Sequence, residues 1–292
     1  TIHKFLKIDK EGNISSKLLK IIKEKYQYII IDEISMIGKE LWKRINLLKI
    51  NSNIKFLLLG DEKQCPPVEN EDIEDYFNHP AVKSICNYNR NVLDVRKRYD
   101  EKLYNILEDV NNIKIDYAHA IKEPLTERNI CYYNKTRKRI NKYWNDKKKN
   151  DKDLFIPADE ENDKTQDMYI YEGLPVIAMK TKHDGDNILF ANSETFNVGN
   201  IDNEYISLCC ERPDENGEKE MYIYDCLIED FRDYFLLNYC STTHKSQGET
   251  ITEEYTIYDW DGMTTKIKYT ALSRAVKYEN VYFGGGDRPL RG

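Results

Sequence analysis

Apolar residues in this chain gather into short runs that end in acid or glycine, with stretches of helical spacing between them. Leu18, Leu19 and Ile22 follow Ser15 and Ser16, and the serines predict the cap of a first helix. Tyr28-Ile29-Ile30-Ile31 is rich in β-branched residues and runs into Asp32, the pattern of a buried parallel strand. Leu41, Ile45 and Leu48 recur at helical spacing, and residues 54–59 predict a second buried strand that ends at Gly60-Asp61. Strand, helix and strand with carboxylates at both strand ends predict an α/β domain whose site lies along that edge.

Pro66-Pro67 and the acidic stretch 69–75 leave this domain. Residues 96–110 predict a helix with Leu103, Leu107 and Val110 on one face, 129–133 a strand and 135–144 a helix. The charged run 147–164 predicts a solvated linker or loop. From 168 to 229 the texture becomes short β-rich runs divided by turn signals, among them Asp184-Gly185-Asp186-Asn187 and Asp214-Glu215-Asn216-Gly217. This predicts a small antiparallel barrel inserted into a second α/β domain. That domain resumes with strands at 234–240 and 254–259, a helix around 264–275 and a last strand at Val281-Tyr282-Phe283. No internal repeat occurs.

At 292 residues, 33% charged and 40% hydrophobic, the chain has the size for two domains and an ordinary globular composition. No apolar run reaches the roughly 18 residues of a membrane span, and no signal peptide is visible. The net charge of −7 argues against a surface coated in positive charge, but basic residues confined to one channel remain compatible with nucleic acid. Seven cysteines, an odd number without any C-x-x-C pair, point to neither a disulfide framework nor a zinc site. A reducing, intracellular compartment is the simplest reading. The opening Thr1-Ile2-His3-Lys4-Phe5 reads as the interior of a protein, so a truncated N-terminus is expected.

Four clusters carry chemistry. Asp32-Glu33 suits magnesium binding and orientation of an attacking water, although alone it is equally an acidic turn. Gly60-Asp61-Glu62-Lys63-Gln64 places a glutamine where a terminal phosphate could be sensed, or is a polar turn. Thr242-Thr243-His244-Lys245-Ser246-Gln247-Gly248 offers hydroxyls, a cation and a helix start for phosphate contacts. Tyr269-Thr270-Ala271-Leu272-Ser273-Arg274-Ala275 puts an arginine on a helix of small and apolar residues, where the plain alternative is a surface ion pair.

In that order these clusters resemble motifs II, III, V and VI of the superfamily 1 helicases, and Thr1-Ile2-His3-Lys4-Phe5 is similar to motif Ia of the RecD, Dda and PIF-type branch. Lys97-Arg98-Tyr99-Asp100 resembles motif IV, with Arg90 and Arg96 as competing arginines. Asn134-Lys135-Thr136-Arg137 resembles a segment near the nucleic-acid path. Gly173-Leu174-Pro175-Val176 and Asn192-Ser193-Glu194 resemble parts of the family's Src-homology-3-type barrel. Motif I, G-x-x-x-x-G-K-[S/T], is not found in these residues, and Gly284-Gly285-Gly286 reads as a flexible end.

The resemblance implies two RecA-like parallel-sheet domains, the first incomplete, with the barrel inserted in the second. The expected boundaries are 1–92, 93–164, 165–231 and 232–292. It implies an ATP-dependent DNA helicase using ATP and Mg2+ and moving 5′ to 3′ on single-stranded DNA and at junctions with duplex. Asp32 would hold the metal, Glu33 would act on water, and Gln64, Arg98 and Arg274 would stabilise phosphoryl charge. Asp61, Gln247 and Gly248 would contact nucleotide. Thr1, His3, Phe5, Pro66, Asn134, Thr243, His244 and Lys245 would contact nucleic acid. The segment 9–15 would hold a strand-separating wedge. Two other readings stand: a binding or scaffold protein that has lost ATPase function, and a motor forming one end of a larger enzyme. Retention of the acidic, glutamine and arginine boxes favours the helicase.

Overall fold

A computed structural model describes residues 2–8, 13–67, 78–95, 97–113, 115, 126–185, 187–214 and 217–285. It divides into two compact units, Thr1–Arg98 and Tyr99–Gly292, six residues later than the sequence pattern placed the change. Among the described residues no helix is long and apolar enough to cross a membrane. The wedge segment and the acidic stretch 69–75 lie largely or wholly outside the described residues.

The first unit runs α1 (Ile2–Phe5), α2 (Ser16–Lys25), β1 (Tyr28–Ile31), α3 (Lys39–Lys49), β2 (Lys55–Leu58) and α4 (Pro80–Ile85). Ser15 takes the N-cap position of α2, but its side chain makes no capping hydrogen bond. β1 and β2 pair in parallel, from Tyr28 opposite Lys55 to Ile31 opposite Leu58. Parallel pairing requires a crossover, which α3 supplies. Trp42 and Ile45 of α3 and Val82 and Ile85 of α4 pack with Ile31, Phe56 and Leu58. The strands are half-buried rather than buried: Ile30 is 65% exposed and Leu57 50%. Strand alternation sends these side chains to a face that no described helix covers.

The second unit begins with α5 (Glu101–Glu108) and then β3 (Arg128–Cys131) and α6 (Asn134–Lys148). The helix expected from residue 96 starts only at Glu101, because the Asp100 carboxylate accepts from the Leu103 N–H at 2.7 Å and caps it there. Residue 96 lies outside the described residues. The charged run after α6 is not all loop. β4 (Leu154–Ile156) pairs antiparallel with β5 (Met168–Ile170). Then follow β6 (Pro175–Ala178), β7 (Lys182–Asp184), β8 (Asn187–Phe190), β9 (Thr195–Ile201), β10 (Tyr205–Pro213), β11 (Lys219–Leu227), α7 (Ile228–Tyr234) and β12 (Phe235–Leu237). The last four elements are β13 (Cys240–Thr242), β14 (Tyr255–Ile257), α8 (Thr265–Leu272) and β15 (Val281–Phe283).

The two larger sheets of this unit differ in kind, beside the two-stranded pairs β4-β5 and β7-β8. β13-β3-β14-β15 is parallel throughout, and β11-β10-β9-β6-β12 is antiparallel. The single run expected at 234–240 is two strands: β12 completes the antiparallel sheet and β13 the parallel one. Phe190 centres the antiparallel core, its ring 5.0 Å from Phe235 and 5.1 Å from Tyr224. Each such ring, fully buried, contributes on the order of 2 kcal/mol.

Between the sheets the backbone must leave one ladder and join the other, and side-chain amides of α6 satisfy it. The Asn141 amide donates to Leu237 O at 3.0 Å and Cys240 O at 3.1 Å, and its oxygen accepts from the Cys240 N–H at 2.8 Å. One turn on, Asn145 exchanges the same pair of bonds with Tyr169. Asn141→Leu should therefore orphan three buried backbone groups and cost roughly 2–4 kcal/mol. Urea unfolding of the variant measures this, and a loss below about 1 kcal/mol would mean that water replaces the amide.

Candidate functional site

The first unit brings two predicted turns together at the C-terminal edge of its sheet. The Leu59 N–H donates to Ile31 O at 2.8 Å, and the Ile34 N–H to Leu59 O at 3.1 Å, so the turn after β1 is tied to the turn after β2. Glu33 sits between them in the left-handed region, φ 52°, and its N–H donates to the Asp32 carboxylate at 2.8 Å. That conformation is uncommon outside glycine and asparagine and marks a constrained position. Asp32 is exposed at the edge. Asp61 accepts from the Lys63 N–H at 2.9 Å, and its carbonyl accepts from the Gln64 N–H, which fixes the second turn. The Gln64 side-chain oxygen is buried without a hydrogen-bond partner.

Magnesium usually takes one or two carboxylates together with substrate phosphates, rather than an all-protein cage. The exposed Asp32 carboxylate at the strand edge fits that donor set. Among the described residues no group of three or more His, Cys, Asp or Glu forms a cage.

In the second unit the expected helix start at 243–248 is a series of turns, closed by Gly248 at φ 88°. A left-handed residue there ends the turn at little cost only because it is glycine. Thr243 is fully buried, and both its N–H and hydroxyl donate to Cys131 O. His244 and Lys245 are half-buried. Burial alone pushes the His244 imidazole down. Burial, then the Arg137 and Lys164 charges, push the Lys245 ammonium down to about 8, and its Nζ has no hydrogen-bond partner. Gln247 is half-buried on the same loop. Arg128 pairs with Glu249 and anchors the loop to β3.

Arg274 is neither on the helix nor on the surface. It lies in the turn after α8 and is 1% exposed. Its guanidinium donates to the carbonyls of Thr270 at 3.0 Å and Glu249 at 3.1 Å, and to the Ser273 hydroxyl at 3.0 Å. The arginine thus holds the loop of Thr243–Gly248 against α8, because carbonyl partners can satisfy a buried guanidinium without an acid.

The remaining predicted residues scatter. Phe5 stacks edge-on against Tyr26 at 5.6 Å, which is ordinary packing. Thr1 and the side chain of His3 lie outside the described residues. Pro66 is half-buried after the fully buried Cys65. Arg98 is exposed in the bend that ends the first unit. Asn134 opens α6 and accepts from Arg137 Nε at 3.2 Å.

Residues 1–70 match the family profile of the AAA domain. Over 76 residues the chain is 38% identical to the ATP-dependent DNA helicase Pif1 of Campylobacter jejuni, a match covering 25% of this chain and 17% of that relative's length. It is similar in structure to a Bacteroides Pif1 helicase solved in complex with ADP-AlF3 and ssDNA, with TM-score 0.66 and 16% identity over 99% of this chain and 78% of that one. It is likewise similar to the Pif1 helicase from Candida albicans, with TM-score 0.64 and 18% identity over 97% of this chain and 80% of that one.

The chain has the fold of the Pif1 helicases. Its α/β units with parallel sheets are therefore the RecA-like units that the motif order predicts.

Within this Pif1 fold two functional candidates escaped the sequence reading. Arg137 was read only as part of a segment, yet it is 3% exposed with Nη1 unpartnered. Asp259, at φ 64° and 7% exposed, accepts from the N–H groups of Tyr132 and Tyr133 and from the Thr136 hydroxyl, and so sets the start of α6. An acid two residues past the end of β14 is the signal that could have found it.

The depressed Lys245 carries a pH signature. The folded chain sheds this proton near pH 8, whereas an unfolded lysine holds it to about 10.4. Between those values the unfolded state binds more protons, so stability rises with pH from this residue. The stability difference between wild type and Lys245→Met, followed by urea unfolding, should change in that window and be flat below about pH 7. A flat difference throughout would mean that Lys245 is solvated.

Proposed function

We propose that the chain is the greater part of an ATP-driven DNA helicase motor that moves 5′ to 3′ on single-stranded DNA and works at junctions with duplex. The observation that carries this is the edge of the first unit, where Asp32-Glu33 and Asp61 to Gln64 leave adjacent parallel strands and are hydrogen-bonded turn to turn. In open α/β sheets ligands sit at that edge. The same motif order on a Pif1 fold supports the assignment, as does the ADP-AlF3 and ssDNA bound to the Bacteroides relative. The antiparallel module is then the Src-homology-3-type barrel, and the seven free cysteines suit a reducing intracellular compartment.

In this reading Asp32 holds magnesium, which neutralises phosphate charge when bound. Glu33 orients and deprotonates the attacking water, and Gln64 senses the terminal phosphate. Asp61, Gln247 and Gly248 contribute to the nucleotide site. Arg98 and Arg274 stabilise the transferring phosphoryl group, a role worth roughly 10³–10⁵ in rate. Arg274 also carries the loop of Thr243–Gly248, so nucleotide state is coupled to the segment assigned to DNA. Single-stranded DNA is tracked through backbone contacts and stacking, which suits a motor indifferent to sequence.

Expressed from its complete reading frame, the protein should hydrolyse ATP in response to single-stranded DNA. Glu33→Gln should cut that turnover by about 10²-fold or more with ATP binding retained. Turnover near wild type in that variant would remove Glu33 from the chemistry. The 292 residues alone, which contain no G-x-x-x-x-G-K-[S/T], should hydrolyse little ATP with or without DNA. Robust DNA-stimulated release of phosphate by this piece, sensitive to Glu33→Gln, would overturn that expectation.

A further inference from the structure

A sheet edge presents a row of N–H and C=O groups ready to pair with another strand, and folded proteins keep such edges short, bulged or charged. The two larger sheets of the second unit end in four edge strands: β11, β12, β13 and β15. Three of them have three residues each, which limits what they can template. β11 has nine, Lys219–Leu227. It contains no proline, and its register with β10 runs without a shift from Tyr205 opposite Leu227 to Pro213 opposite Lys219. Among the described residues no strand pairs with its other side.

Side chains along β11 alternate between two faces. Tyr222 and Tyr224 turn inward: the Tyr222 hydroxyl donates to Leu189 O at 2.8 Å, and the Tyr224 ring lies 5.1 Å from Phe190. Met221 and Ile223 turn outward and are 61% and 59% exposed. Acids bracket this apolar centre. Glu218 and Glu220 precede it, Glu211 of β10 stands opposite Met221, and Asp225 follows Ile223. The strand's one base, Lys219, already donates to the Glu211 carboxylate at 2.6 Å. Between Asp202 and Asp233 the sequence has eleven acids and three bases, so this stretch carries more net negative charge than the −7 of the whole chain. Such a field repels a phosphate backbone, and it repels a second copy of the same surface.

We propose that β11 is the docking edge for an extended segment of a partner protein, apolar at its centre and basic at both ends, which adds to the antiparallel sheet as a sixth strand. Main-chain hydrogen bonds along β11 hold the segment. Its apolar residues lie beside Met221 and Ile223, and its bases meet Asp225 at one end and Glu220 at the other. Opposite charges across a strand pair favour the addition, and like charges oppose it. The free edge makes the site, and the acids around it select the occupant. None of the residues assigned to ATP or DNA takes part, so the failure of either reading leaves the other standing.

The test uses the 292-residue chain and a fluorescent peptide of valines alternating with threonines between paired lysines, with binding followed by anisotropy. The same peptide with glutamates in place of the lysines is the comparison. The basic peptide should bind, and the acidic one should bind about tenfold more weakly or worse. Two further basic peptides carry N-methyl groups on alternate residues, one in each phase. One phase should abolish binding and the other retain it, because only every second residue of an added strand turns its N–H to β11. Amide hydrogen exchange within 219–227 should slow when the basic peptide is bound. Ile223→Lys and Asp225→Lys, both at exposed positions, should each weaken binding about threefold or more. Two N-methylated phases that behave alike would overturn strand addition. An acidic peptide that binds as well as the basic one would overturn the choice of partner. Absence of binding up to millimolar peptide would overturn the site. A dimer in sedimentation that Ile223→Lys disperses would give the edge to a second copy and likewise overturn the proposal.

Discussion

The second unit depends on a backbone passage of two residues, from Leu237 to Cys240. The chain leaves an antiparallel sheet at Leu237 and enters a parallel one at Cys240. The Asn238 N–H still donates to Pro175 O of the antiparallel sheet, whereas the Leu237 carbonyl and the N–H and carbonyl of Cys240 take their bonds from a side chain. Buried peptide groups cannot be left unmet. Asn141 supplies three of the bonds from inside α6, Asn145 repairs a second gap at Tyr169, and Asn129 donates to Tyr239 O from β3. The loop of Thr243–Gly248 begins three residues past Cys240, so its position follows from these amides.

The same rule distinguishes supporting cations from the pair with unmet donors. Arg274 is the largest fully buried side chain among the described residues, and it finds carbonyls at the end of α8 and on the facing loop. Such a guanidinium is a fastener. Arg137 shares its burial but leaves Nη1 without an acceptor, and the half-buried Lys245 leaves Nζ unmet, past the carboxyl ends of two adjacent parallel strands. Burial alone does not mark function, because carbonyls can meet a buried guanidinium in full.

In the first unit the constraint is tighter and more local. Two strands of four residues hold a pair of turns through two hydrogen bonds that run between them. The left-handed Glu33 turns the chain so that its own N–H meets the Asp32 carboxylate. The two turns are thus held by backbone geometry.

The sequence by itself determined the order of the main strands and helices, the change to β texture after 168, and the acidic strand ends, but not the short elements α1, α4, α7 and β4. These follow from period, β-branching and turn residues, which act within a few positions along the chain. It also gave the motif order that the Pif1 fold accommodates. Three features lay beyond it. The half-exposed state of β1 and β2 depends on which helices cover which face. The division of 234–240 between two sheets depends on pairing with Val176 and Asn129, distant in sequence. The burial of Arg137 and Arg274 depends on carbonyls brought in from other loops, from Lys164 and Glu249. A guanidinium reads as a surface group in any local window, and only the tertiary structure can surround it with acceptors or withhold them.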